Sequence, residues 1–250
     1  MNSGNHARQL KKSIENKEKI IAALDVPTAE EARKIISEIG AEVGAFKIGL
    51  QLFTSAGASF VREVVDSGAK VFLDVKFHDI PNTVASAAVE VARLGVWMFN
   101  VHALGGSEML KKTVEKVREV CEKENLAKPK IIGVTVLTSA NPETLKEVGL
   151  EKDLDWQVLH LAKLSAKCQL DGVVASPREV QAIRQEVEKE DFLIVTPGIR
   201  PVFATNDDQK RVTTPKEAVQ AGSDYLVIGR PILQAGDKRS AVRQILDEIA

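Results

Sequence analysis

In the run VFLDVKFHDIPNTV, residues 71–84, an acid, a base and a second acid stand at Asp74, Lys76 and Asp79 within otherwise strand-like apolar sequence. Charge is costly to bury unless it is paired. Asp74 and Lys76 are two residues apart, so on a strand they share a face. Lys47, in AFKIG (45–49), lies on the preceding strand and completes an alternating positive–negative–positive row. Two chemistries fit this row. One is an ion-pair network that caps a core and shifts proton affinities without catalysis. The other is a working site, where carboxylates favour the ammonium form of a lysine and that ammonium stabilises or protonates negative charge on a substrate. Asp79 differs from the others. Pro81 restricts Ile80 to extended backbone and turns the chain outward, so Asp79 either reaches a neighbouring subunit or serves as an acid at the start of the next helix.

A second constellation lies near the C-terminus. TPGIRP (196–201) and VIGRP (227–231) each place a glycine and an arginine just past an apolar run. Glycine lets backbone N–H groups approach an anion, and Arg200 and Arg230 can donate charge-assisted, bidentate hydrogen bonds to phosphate. The polar loop between them, residues 202–215, is long enough to act as a lid, and Gln209 within it is a candidate phosphate contact. The competing reading is two ordinary turns with surface arginines.

Such groups need a scaffold that brings distant segments together. Short β-branched runs at 20–25, 45–49, 70–76, 97–103, 129–137, 171–176, 192–198 and 224–229 alternate with amphipathic helical segments. Alternation of this kind implies right-handed βαβ units and a parallel sheet, and strands apolar throughout imply burial on both faces. Eight units in one register predict a (β/α)8 barrel of the α/β class, as one domain over residues 19–250 after a polar tail of residues 1–18. An open doubly wound sheet fits less well, because Asp25 and Pro27, rather than a Gly-x-Gly-x-x-Gly turn, follow the first strand. In a barrel the carboxyl ends of the strands form the active-site face. There the sequence places Asp25, Lys47, Asp74 with Lys76, His102, Thr138, Ser176, Arg200 and Arg230.

Composition narrows the function classes. The 250 residues are 44% hydrophobic and 28% charged, with a net charge of −1, so no global field draws nucleic acid or anionic lipid. No window of about 18 uncharged apolar residues occurs, and the N-terminus lacks the apolar core of a signal peptide. Cys121 and Cys168 are far apart in helical sequence and read as free thiols of a reducing cytoplasm. His78 and His102 have no spacing that supports a metal site.

The motifs ALDV, FKIG, DVKFHDIPNTV, PGIRP, DQKR and IGRP, in this order between residues 20 and 232, closely resemble the bacterial-type orotidine 5'-phosphate decarboxylase family. The resemblance implies a homodimeric (β/α)8 barrel that converts orotidine 5'-monophosphate to UMP and CO2 in pyrimidine biosynthesis, with neither metal nor organic cofactor. Carried over by position, it implies a catalytic tetrad of Lys47, Asp74, Lys76 and Asp79, with Asp79 supplied by the other subunit and Lys76 the proton donor. Asp25 and, across the dimer, Thr83 match ribose contacts. Thr138 lies near the pyrimidine, and Arg200, Gln209, Gly229 and Arg230 match phosphate contacts.

The chemistry agrees. Loss of CO2 from C6 of a pyrimidine leaves a vinyl carbanion, and the ring offers no ketone suited to Schiff-base formation. Lys76 is therefore expected to act as an ammonium that stabilises charge at C6 and then protonates it. Two alternatives remain at this level. A Mg2+-dependent sugar-phosphate decarboxylase or aldolase of the same barrel superfamily shares the Asp-x-Lys-x-x-Asp run, but Lys47 stands where such relatives resemble one another in a metal-binding Glu. A catalytically silent phosphate-binding module would keep the arginines without needing the charged row.

Overall fold

The computed structural model describes residues 14–204 and 213–250. Among the described residues the strands are β1 (Ile20–Ala23), β2 (Ala45–Gly49), β3 (Val71–Phe77), β4 (Met98–His102), β5 (Lys130–Val134), β6 (Gly172–Val174), β7 (Leu193–Pro197) and β8 (Tyr225–Ile228). All pair in parallel with their sequence neighbours, and β8 returns to β1, closing the barrel. The outer layer comprises α1 (Ala29–Ile39), α2 (Leu50–Asp66), α3 (Pro81–Arg93), α4 (Gly106–Glu124), α5 (Pro142–Glu147), α6 (Leu154–Lys167), α7 (Val180–Glu186), α8 (Pro215–Ala221), α9 (Arg230–Leu233) and α10 (Lys238–Glu248).

Local sequence explains where the helices begin. Thr28, Asn141, Asp153, Thr214 and Asp237 each cap a helix by accepting a backbone N–H with the side chain, a bond worth about 1 kcal/mol per cap. Thr214 and Glu217 satisfy each other's backbone in a capping box at α8. Pro81, Pro142 and Pro215 occupy first-turn positions, where a missing N–H does no harm.

Strand alternation divides the core. Ile20, Ala22, Leu24, Phe46, Ile48, Leu73 and Phe99 pack outward among the helices, while Ile21, Ala23, Ala45, Phe72, Met98, Ile132, Val195 and Val227 form a separate cluster on the opposite parity, inside the barrel. Phe46, Phe72 and Phe99 are all but fully buried, and truncating any of them to alanine is expected to destabilise by roughly 3–5 kcal/mol. Lower in the interior, Trp97 meets Tyr225 edge to face at 5.0 Å. Continuing the interior parity toward the carboxyl ends leads from these apolar layers to Asp25, Lys47, Asp74 and Asn100, so the packed interior is also the floor of a polar mouth.

Residues 14–18 are helical, and the Asn16 amide donates to the Ile249 carbonyl at 3.3 Å. Cys121 and Cys168 are free and buried.

Candidate active site

Four charges form one continuous row. Lys47 Nζ lies 2.9 Å from Asp25 Oδ1 and 3.5 Å from Asp74 Oδ2, and Lys76 Nζ lies 2.6 Å from Asp74 Oδ1. Lys47 is only 8% exposed, a burial tolerable because carboxylates flank its ammonium on two sides. Gly49 follows on the same face. A Cβ there would come within 3.0 Å of Lys47 Nζ, so glycine keeps the ammonium's space open.

Lys76 is held in an unusual backbone state. Along the β3–β4 pairing, Leu73 faces Phe99, but the next matched pair is Phe77 with Val101: four steps along β3 for two along β4. Within this bulge Lys76 takes φ +52, a left-handed conformation that costs a non-glycine residue on the order of 1–3 kcal/mol. The bulge takes the Lys76 N–H off the ladder, and the side chain of Asn100, fully buried on β4, accepts it at 2.8 Å. The same Asn100 amide donates to Asp74 Oδ1 at 2.7 Å. Burial alone would raise the Asp74 carboxyl, but the Lys47 and Lys76 ammonium groups, with the bonds from Lys76 and Asn100, outweigh it and hold the group below the usual carboxylate range. Asp74 is thus an anion that accepts from Lys76 and Asn100 and pairs with the Lys47 ammonium.

The other expected residues are distributed around this row. Asp25 is more than half exposed, and its second oxygen lies 3.2 Å from where a Cβ on Gly229 would stand. Thr138, exposed beyond the end of β5, joins Lys47, Asp74, Lys76, Val134 and Val227 in lining a cavity of about 160 Å3. A second cavity, of about 300 Å3, is lined by Arg200, Arg230, Phe203, Ala204, Pro231 and Gln234. Both arginines therefore face one space. The Arg200 backbone N–H donates to the Thr213 carbonyl at 3.1 Å, tying together the stems of the intervening loop. Gln209 lies outside the described residues.

Asp79 and Thr83 are not brought to the row within this chain. Both are exposed, and Asp79 Oδ1 accepts the Ile80 N–H at 2.6 Å; Asp79 makes no ion pair among the described residues. Ile80, in the extended geometry expected before Pro81, is 67% exposed.

Two residues near the mouth were not singled out by the sequence. Asn100 is one, although a buried amide in the apolar run MFNVH carries the same signal as Asp74: a polar group on the inward parity. Glu179 is the other. Its Oε2 accepts the Ser176 N–H at 2.7 Å, and burial pushes its carboxyl up to about 7, aided by Asp155 and opposed by the Ser176 bond. His102, whose ring lies 5.3 Å from that of His78, has a buried Nδ1 with no hydrogen-bond partner among the described residues, and burial followed by the nearby His78 and Lys76 charges lowers its pKa.

Fold and site together define a class, the (β/α)8-barrel enzymes that act on a small-molecule substrate at the carboxyl ends of their strands. Residues 18–245 match the Orotidine 5'-phosphate decarboxylase / HUMPS family, and the chain belongs to it. Orotidine 5'-phosphate decarboxylase from Syntrophotalea carbinolica is 51% identical over 237 residues, covering 95% of this chain and 97% of that protein. The protein of the same name from Geobacter sulfurreducens is 53% identical over 233 residues, covering 93% and 96%. The crystal structure of orotidine 5'-phosphate decarboxylase from Lactobacillus acidophilus superposes with a TM-score of 0.82 at 39% identity, covering 92% of this chain and 98% of that one.

Proposed function

We propose that this chain is a carboxy-lyase that converts orotidine 5'-monophosphate to UMP and CO2. The observation that carries the reading is the Asp25–Lys47–Asp74–Lys76 row opening into an apolar-walled cavity next to Thr138. The pyrimidine enters that cavity with C6 toward Lys76. As the C6–CO2 bond breaks, its electron pair stays on C6 and the Lys76 ammonium offsets the new charge. A Lys76 proton then passes to C6, giving UMP, and the neutral amine recovers a proton from solvent. Asp74 fixes the direction of the ammonium. Asp25 and Lys47 bind the ribose hydroxyls.

The phosphate lies between Arg200 and Arg230, with the backbone at Gly229 and with Gln209 contributing from the loop. Binding at that remote end supplies energy used at the reacting carbon. Asp79 and Thr83 are completed across a homodimer. The exposed, outward placement of Asp79 and Ile80 supports this arrangement, because within one chain Asp79 has no cationic partner among the described residues.

Lys47 Nζ fills the space between Asp25 and Asp74 that a divalent cation would need, which favours chemistry run by lysine alone. The experiment is CO2 release from orotidine 5'-monophosphate with excess EDTA. Undiminished release supports the reading. Loss on chelation, restored by Mg2+, favours metal-assisted chemistry, and no release under either condition rejects it.

A further inference from the structure

We propose that Asn100 is a positioning residue for the reaction, setting both the backbone of Lys76 and the direction of the Asp74 carboxylate. The inference rests on the decarboxylase reading above for its kinetic consequence, but its structural part stands alone. Three observations converge on one side chain. The β3–β4 register skips between Leu73 and Phe77, opposite Asn100. Lys76, inside the skip, has φ +52. Asn100, with no exposed surface, uses both ends of its amide there, accepting from Lys76 N–H at 2.8 Å and donating to Asp74 Oδ1 at 2.7 Å.

The two bonds do different things. A regular strand would carry the Lys76 side chain on along the barrel wall, in step with Asp74. The bulge re-aims it, and the bulge leaves a peptide N–H that must find an acceptor away from the ladder. The Asn100 carbonyl oxygen is that acceptor. The Asn100 N–H lands on the same Asp74 oxygen that faces Lys76 Nζ at 2.6 Å, so the carboxylate cannot rotate without breaking a bond to a rigid strand. Asparagine has the required donor and acceptor without adding charge. Leucine would fit the space and satisfy neither partner. Aspartate would satisfy Lys76 N–H and, when ionised, repel Asp74.

That last property gives a test that a merely structural role would not pass. The charged or titratable groups around position 100 are Asp74 and Lys76 on β3, Lys47 on β2 and His102 on β4 itself; its β5 partner, Ile132, carries none. With Asn100→Asp, the protonated carboxyl reproduces the donor toward Asp74 and the ionised one does not. The kcat of Asn100→Asp is therefore expected to approach that of the parent as pH falls from about 8 to about 5, and to fall away as pH rises. Asn100→Ala is expected to lower kcat about 10- to 100-fold at every pH, with KM and the calorimetric Kd for UMP within about threefold.

Parental kcat in both variants, or a deficit in Asn100→Asp that is the same at every pH, overturns the proposal. Should Asn100→Ala fail to fold, Asn100→Asp, of nearly the same shape, decides alone. If the parent releases no CO2, the decarboxylase reading fails separately. The inference is then decided by a crystal structure of Asn100→Asp grown above pH 8, in which Asp74 is expected to have turned away from position 100; an Asp74 carboxylate unmoved from its place beside that residue would overturn it.

Discussion

The Lys47 ammonium bridges two carboxylates that belong to different parts of the site, with Asp25 Oδ1 at 2.9 Å and Asp74 Oδ2 at 3.5 Å. Asp74 is tied to Lys76, the proposed proton donor. Asp25 reaches toward Gly229, the proposed phosphate end. In the proposed reaction Lys47 couples the placement of the sugar to the geometry of the charged row.

Asp25→Asn keeps the shape and removes the charge, leaving Lys47 with Asp74 as its carboxylate. The expected outcome is a kcat/KM lowered roughly 10- to 100-fold, the loss of a hydrogen bond to a charged group, measured by steady-state CO2 release. A change smaller than about twofold would show that Asp25 does not hold the substrate.

Arg200 and Arg230 line one cavity, and each charge-assisted contact to phosphate is worth about 1.5–3 kcal/mol. Arg230→Ala is expected to raise KM for orotidine 5'-monophosphate by at least about tenfold. The same substitution should leave turnover of orotidine, which lacks the phosphate, unaffected. Comparing the two substrates checks the assignment, and equal losses on both would place Arg230 elsewhere in the chemistry.

Glu179 predicts a pH dependence of stability. Its carboxyl is pushed up to about 7 in the fold, whereas an unfolded glutamate titrates near 4.3. The folded state thus holds a proton that the unfolded state has lost, and the stability this contributes, roughly 3–4 kcal/mol, is fully present below about pH 4.3 and disappears as pH rises through about 7. Glu179→Gln should remove that slope. The check is the difference in unfolding free energy between parent and variant, taken from denaturant curves across this interval. A difference independent of pH would contradict the burial of that carboxyl.

The barrel was legible because its signals are local. The interval between apolar runs set the strand order, and AFKIG marked β2 at its observed limits, Ala45–Gly49. Strand ends were less readable. The run 129–137 yields a strand only at Lys130–Val134, and 171–176 only Gly172–Val174, because length in a closed sheet is set by what the neighbouring strands still pair with. The helical segment after β6 forms a helix only at Val180–Glu186, since Glu179 is spent on the Ser176 turn that precedes it. Lys47 and Asp74 meet on the inward parity as the period of two implies, whereas Lys76 reaches Asp74 from within a bulge. The bulge was not visible, because it depends on a side chain of β4, 24 residues beyond Lys76. A single strand's pattern does not contain that information.

Asp79 provides a test of the shared site. Lys76→Ala and Asp79→Ala, each nearly inactive alone, are mixed and allowed to exchange subunits. Mixed dimers then carry one site with both native residues, so activity should return to roughly a quarter of the parental value. No return after verified exchange would place Asp79 outside the partner's site.

The central claim is that the Lys76 ammonium stabilises and protonates C6. It is tested most directly by CO2 release from orotidine 5'-monophosphate by Lys76→Ala, with UMP binding measured on the same preparation. The account predicts kcat lower by several orders of magnitude while UMP still binds through the phosphate end. A variant that binds UMP and decarboxylates at the parental rate would contradict it.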